Sequence, residues 1–168
     1  SNICAVTIKS NAYGLGSENI YRILLNKGCK HFFVATTKEA IKLREKFSKG
    51  YIYVLNGIEF NNIKIFKKYK LIPILCDLDD YIKIKNSSAK YGIQVNTGIN
   101  RLGVNYNDFK KILPKDSNLK IIMSHLASSD EKNNNYNYIQ LKKFIEIKNK
   151  YKNHKGIFTL ANSFGSVL

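Results

Sequence analysis

The 168 residues contain no tryptophan, one methionine, two prolines and three cysteines, and 12 acidic side chains stand against 28 lysines and arginines. The three cysteines, Cys4, Cys29 and Cys76, are odd in number and far apart, without the close Cys or His spacing that zinc requires. They read as reduced core thiols, Cys4 and Cys76 lying in apolar runs where a free cysteine packs as a small hydrophobe. No run of about 18 apolar residues crosses a bilayer, and the amino end lacks the charged, apolar and small-residue succession of a signal peptide. A soluble, cytoplasmic protein is expected. The first residue is serine, so the start is either processed or cut.

The shortage of acidic residues leaves a net charge of +16, which raises the question of nucleic acid, since Lys and Arg gain affinity by neutralising phosphates. The excess is nearly all lysine and is spread along the chain, with no arginine-rich block and no recognisable RNA or DNA module. Charge of this kind speaks to solubility rather than fold. The abundance of lysine, asparagine and isoleucine is what an AT-rich coding sequence produces. Neither nucleic acid nor membrane is expected as a partner.

With 44% hydrophobic residues the chain can bury the core of one domain, since domains of about 100 to 150 residues are commonest. Seven short apolar, β-branched runs recur: ICAVTI (3 to 8), HFFVA (31 to 35), YIYVL (51 to 55), LIPIL (71 to 75), YGIQV (91 to 95), LKIIM (119 to 123) and KGIFTL (155 to 160). Helical periodicity lies between them, as at Ile20, Ile23 and Leu24, and at Ala40, Ile41 and Leu43. Asp77, Asn105 and Ser17 are placed to cap helices. Continuously apolar strands alternating with helices point to parallel strands buried on both faces, so the class is α/β. Seven regular units without a GxGxxG fingerprint favour the (β/α)8 barrel over a doubly wound sheet. A closed barrel needs eight strands and typically about 250 residues. The expectation for residues 1–168 is therefore an incomplete barrel domain of about seven βα units, with two exposed strand edges.

In such a barrel the chemistry sits at the carboxyl ends of the strands. The first run delivers Lys9 and Tyr13 there, the fifth Asn96, Thr97, Asn100 and Arg101, the sixth Ser124 and His125, and the seventh Asn162 and Ser163. Singly, each has a plain structural reading: His125 as a core histidine, Asn162 with Ser163 as a helix cap. Together they fit one chemistry. A sheltered lysine forms a Schiff base with an aldehyde cofactor, Ser163 at a helix start offers a hydroxyl and N–H groups to a phosphate, and Arg101 offers a fixed cation to a phenolate oxygen. His125 adds a planar ring beside a flat cofactor. The combination points to pyridoxal 5'-phosphate.

The run IKSNAYGLG resembles the pyridoxal-lysine motif of alanine racemases, and VNTGINRLG, MSHLASSDE and LANSFGS resemble their later motifs in the same order. The resemblance implies a fold-type III enzyme that interconverts L- and D-alanine and supplies D-alanine for bacterial peptidoglycan. It implies that Lys9 carries the cofactor and acts as the base on one face of the substrate. Tyr13 and Ser163 then bind the cofactor phosphate, Arg101 stands near its phenolic oxygen, His125 packs on its ring, and Asn162 is the first member of the Asn-Ser pair. A homodimer is implied, with the second base a tyrosine of the partner subunit's carboxyl-terminal β domain.

Two positions depart from the family pattern. Gln94 stands where many members carry a carbamate-modified lysine; it is expected to be a neutral substitute, with an amide oxygen able to accept a hydrogen bond from Arg101. Asn96 replaces the aspartate of the usual DTG. The second base and the carboxyl-terminal domain lie outside these 168 residues, so the chain alone is expected to be inactive. The alternatives are another fold-type III enzyme, such as a serine or broad-specificity racemase or an amino-acid decarboxylase, and a non-catalytic barrel protein that binds the same cofactor.

Overall fold

The computed structural model describes residues 3–59, 62–112 and 117–166, and the chain divides into two compact units, Ser1–Ile74 and Leu75–Leu168. The first runs β1 (Ala5–Thr7), α1 (Lys9–Tyr13), α2 (Ser17–Asn26), β2 (His31–Val34), α3 (Thr37–Lys46), β3 (Tyr51–Val54), α4 (Ile63–Lys68) and β4 (Ile72–Leu75), whose last residue lies just past the division. The strands pair in parallel, β1 with β2, β2 with β3 and β3 with β4. Phe32, Val34, Ile52 and Val54 are fully buried, because in a parallel sheet helices cover both faces. On α2, Tyr21 stacks on Phe32 and Phe47 with centroids 4.0 and 4.8 Å away. Helix α3 starts at a capping box in which Thr36 and Glu39 satisfy each other's backbone N–H, and it buries Ala40 and Leu43.

One side chain of α3 organises the far end of this unit. The Arg44 guanidinium donates to the carbonyls of Gly50 (2.9 Å), Ser48 (3.1 Å), Tyr69 (3.1 Å) and Phe47 (3.2 Å), with Lys49 and Lys70 at 3.4 Å. It thereby ties the turn after α3 to the turn after α4. Arg44→Met should cost about 3 kcal/mol in denaturant unfolding, since charge-assisted hydrogen bonds are lost and several carbonyls lose their donor. Arg44→Lys should recover less than half, an ammonium having three donors and no planar fork.

The second unit runs α5 (Leu78–Ile84), β5 (Tyr91–Asn96), β6 (Val104–Asn105), α6 (Tyr106–Phe109), β7 (Leu119–Met123), α7 (Asn135–Lys150) and β8 (Ile157–Thr159). Strand β7 pairs in parallel with β5 and β8, and β5 also pairs with β6. The seven expected runs all appear as strands, and β6 is the addition. In the first unit β1 is exposed at Ala5 and half-buried at Val6 and Thr7; in the second all of β8 is half-buried, whereas residues 91–95 of β5 are buried.

Asp77 and Asn105 cap α5 and α6 as expected, accepting from the N–H groups of Asp80 (2.7 Å) and Asn107 (2.9 Å). Ser17 does not cap. It is the first residue of α2, whose cap is Gly16, and its N–H is taken by Asn11. The thiols are free, but Cys4 is exposed rather than in the core, because it precedes the outer strand β1; Cys29 and Cys76 are half-buried. Burial pushes the Cys76 thiol up to about 11, with Asp77 and Asp80 adding to the shift. No helix among the described residues is long and apolar enough to cross a membrane.

Two histidines predict acid sensitivity in both units. Burial pushes His31 and His154 below the ordinary imidazole value, aided by Lys30 and Lys120 respectively. His31 Nδ1 lies 2.9 Å from the Tyr53 hydroxyl, and His154 Nε2 is buried without a hydrogen-bond partner among the described residues. Because the unfolded chain binds these protons more readily, their stabilisation is complete above about pH 6.5 and is lost as pH falls from there through the lowered folded values. Urea midpoints should therefore drop between about pH 7.5 and pH 5. The double variant His31→Phe, His154→Phe should flatten that part of the dependence.

Candidate functional site at the strand carboxyl ends

In the first unit the strand ladder continues one residue past β1, the Ile8 N–H donating to the Phe33 carbonyl at 2.8 Å. Lys9 follows, half-buried; among the described residues its ammonium has no hydrogen-bond or ion-pair partner. The chain then turns the wrong way for L-residues: Ser10, Asn11, Ala12 and Tyr13 have φ of 51°, 55°, 54° and 55°, and α1 is a left-handed turn. Left-handed backbone costs about 1–2 kcal/mol per non-glycine residue, least for asparagine. The strain therefore sits on four residues before Gly14 and Gly16, where the sequence suggests only a glycine-permitted turn.

Local partners hold this turn in place. Asn11 closes its exit, its Oδ1 accepting the Ser17 N–H at 2.9 Å and its carbonyl accepting the Gly16 N–H at 2.9 Å. At the entry, the Glu39 carboxylate accepts the Ser10 N–H at 2.7 Å through Oε1, while Oε2 accepts those of Ala35 (2.8 Å) and Thr36 (3.2 Å). Ala12 is buried under the turn and Tyr13 is 65% exposed. A Thr-x-x-Glu pattern announces the cap at Thr36, but nothing local announces that Glu39 also reaches Ser10.

In the second unit, Arg101 lines an open cleft of about 350 Å³ with Asp77, Asn96 and Asn100 beyond the end of β5. The guanidinium is exposed, and among the described residues it makes no hydrogen bond or ion pair. Gln94 does not accept from it. The Gln94 side chain is 5% exposed and its Nε2 donates to the Leu102 carbonyl at 3.0 Å, an acceptor that can only be met by the NH2 end of the amide. Gln94 thus secures the segment that runs from Arg101 into β6. Asn96 accepts the N–H groups of Gly98 (3.0 Å) and Asn100 (3.1 Å), and its Nδ2 donates to Asn100 Oδ1 at 3.1 Å. An aspartate could make the first two bonds but not the third, which accounts for asparagine here.

A buried polar network carries His125. Gln140 of α7 accepts the Ala127 N–H (2.8 Å) and donates to the His125 carbonyl (2.9 Å) and to Thr97 Oγ1 (3.2 Å). Thr97 lies 2.7 Å from Ser124 Oγ, which donates to the Val95 carbonyl at 2.7 Å. One glutamine thereby ties the backbone of a half-buried histidine and of Ala127 to Thr97, the residue after β5. No sequence pattern points to Gln140. After β8, Asn162 Oδ1 accepts the Gly165 N–H at 2.8 Å and its carbonyl the Ser166 N–H at 2.9 Å, so Asn162 builds the turn on which Ser163 stands exposed.

The predicted residues therefore all lie at strand carboxyl ends: Lys9 and Tyr13 after β1 in the first unit, and Arg101, His125, Asn162 and Ser163 after β5, β7 and β8 in the second. The family described as alanine racemase, N-terminal domain, matches residues 1–168. The alanine racemases of Rickettsia bellii and Rickettsia canadensis are each 35% identical to the chain, over 99% and 100% of it and over 43% and 50% of their own lengths. The chain thus spans about half, or less, of these curated relatives. Alanine racemase from Bartonella henselae, whose crystal structure has covalently bound pyridoxal phosphate, superposes with a TM-score of 0.85 at 28% identity, over 97% of this chain and 50% of that one. A histidine racemase from Leuconostoc mesenteroides shares the fold, with a TM-score of 0.78 at 18% identity over 98% of this chain and 47% of its own. These likenesses bear out the α/β class and the incomplete (β/α)8 type. With the family model matching residues 1–168 and curated relatives matching nearly all of the chain, the chain belongs to the alanine racemase family as an N-terminal domain.

Proposed function

We propose that the whole protein of which residues 1–168 form the partial barrel domain interconverts L- and D-alanine with pyridoxal 5'-phosphate, supplying D-alanine for peptidoglycan in the bacterial cytoplasm. The observation that carries this reading is Lys9, a half-buried amine without a partner among the described residues, standing after β1 on a left-handed turn. The residues present suit the cofactor: an available amine for its aldehyde, and an unpaired guanidinium lining an open cleft for an anionic oxygen.

When bound, pyridoxal phosphate supplies an electron sink for the charge left as the α-proton departs. Lys9 holds the cofactor and moves that proton on one face of the substrate. The hydroxyls of Tyr13 and Ser163 hold the phosphate, and Asn162 sets the turn that presents Ser163. Arg101 would hold the phenolic oxygen, and His125, fixed through Gln140, would lie beside the ring. Racemisation needs a proton returned on the opposite face, so one base is insufficient; in this proposal a tyrosine of the partner subunit in a homodimer supplies the second, from outside these 168 residues.

The test is chiral chromatography of L-alanine, serine and histidine incubated with the full-length protein and pyridoxal phosphate. D-alanine should form fastest, and the isolated chain should form none. Faster racemisation of another amino acid would move the protein to a different racemase specificity. Absence of turnover together with cofactor fixed at Lys9 by borohydride would favour a non-catalytic binder.

A further inference from the structure

Glu39 does more than cap its helix. A capping box requires its carboxylate to reach only the N–H of Thr36, yet here the same group also takes the N–H of Ala35, the residue directly after β2, and that of Ser10, the residue directly after Lys9. One oxygen serves Ser10 alone, at 2.7 Å. Ser10 is the first of the four left-handed residues, so its N–H has turned out of the strand ladder. Glu39 is itself held from behind, its own N–H donating to Thr36 Oγ1 at 3.2 Å. The carboxylate thus ties the carboxyl ends of β1 and β2 together at the point where the backbone reverses hand.

We infer that Glu39 is a positioning residue for Lys9: by gripping the Ser10 N–H it holds the left-handed turn and so fixes the direction in which the Lys9 amine is presented. The inference rests on the reading of Lys9 as the cofactor amine. Glu39 touches neither substrate nor cofactor in this role; it acts through the backbone of Lys9 and Ser10. Helix α3, an ordinary covering helix by its periodicity, then has a second function, carried by one carboxylate on its first turn.

Two substitutions separate positioning from capping. Glu39→Gln keeps the shape but replaces one accepting oxygen by an NH2 group that faces N–H donors. Glu39→Asp keeps the charge at the helix start and is one methylene too short to reach Ser10. Thr36→Ala is the control, weakening the same cap without touching Ser10. In the full-length protein, amide hydrogen exchange over residues 10–17 should quicken about tenfold in both Glu39 variants and stay near wild type in Thr36→Ala. Borohydride reduction after brief exposure to pyridoxal phosphate, read by peptide mass at Lys9, should fall about tenfold in the Glu39 variants alone. Unchanged exchange over 10–17 in Glu39→Asp would overturn the grip on Ser10. Quickened exchange with undiminished labelling at Lys9 would overturn the positioning role. Failure of the wild type to label at Lys9 at all would overturn the cofactor reading instead, while exchange still decides whether Glu39 holds the turn.

Discussion

Lys9→Ala is expected to lower alanine racemisation by the full-length protein by at least ~10³-fold, the scale of losing a group that moves a proton in the reacting step. Stability should change by less than about 1 kcal/mol, because the Lys9 ammonium has no partner among the described residues to lose. That contrast makes the experiment informative. A residue kept for the fold would show the reverse pattern, a large shift in unfolding with proportionate loss of activity. Lys9→Arg should be as inactive as alanine, since a guanidinium neither gives up its proton near neutral pH nor captures an aldehyde as a primary amine does. Adding methylamine to Lys9→Ala should restore part of the rate by returning an amine to the vacated space. Activity within tenfold of wild type in Lys9→Ala would remove this lysine from the chemistry altogether.

Gly103→Ala is expected to destabilise the second unit by about 3 kcal/mol, through overpacking combined with backbone strain. Gly103 has φ +122°, a conformation essentially confined to glycine, and a Cβ there would press on the backbone of β5: Asn96 N at 2.9 Å, Gln94 O at 3.1 Å and Val95 C at 3.1 Å. None of these belongs to a side chain that can swing away. Relief would require β6 to leave β5, breaking the pairing of Val95 with Val104 and the bond from Gln94 to Leu102. The same shift would loosen the segment bearing Arg101. Urea unfolding should show the destabilisation, and limited proteolysis should cut residues 97–103 sooner. Unchanged behaviour in both would mean that this segment yields without cost.

The strands were legible because each is a short run of apolar, mostly β-branched residues, and burial on both faces leaves no alternation to obscure it. Strand β6 was not, since Val104 and Asn105 are too few to form a pattern and owe their pairing to β5. Asp77 and Asn105 could be read as caps because a cap is a local matter, settled by a side chain and an N–H two or three residues on. Ser17 failed by one position because Asn11 took its N–H and left Gly16 as the cap. Cys4 was assigned to the core on its apolar neighbours, but β1 lies at the outer side of its unit and leaves the start of that run exposed.

The site divides in the same way. Lys9, Tyr13, Arg101, His125, Asn162 and Ser163 could be placed after strand carboxyl ends because parallel strands bring those ends to one edge within each unit. The left-handed turn was hidden, since serine, alanine and tyrosine carry no signal for positive φ and only Asn11 is at ease there. Gln94 had an amide oxygen able to accept from Arg101, but what the structure shows is its NH2 end donating to the Leu102 carbonyl. Residue identity, order and spacing thus settled the fold class and the family and placed Lys9 at the end of β1, because each follows from the pattern of the chain. The grip of Glu39 on Ser10 spans 29 residues and that of Gln140 on Thr97 spans 43. Contacts of that separation exist only once the strands are paired and the helices packed, and it is those contacts that hold the Ser10 N–H and the His125 backbone in place.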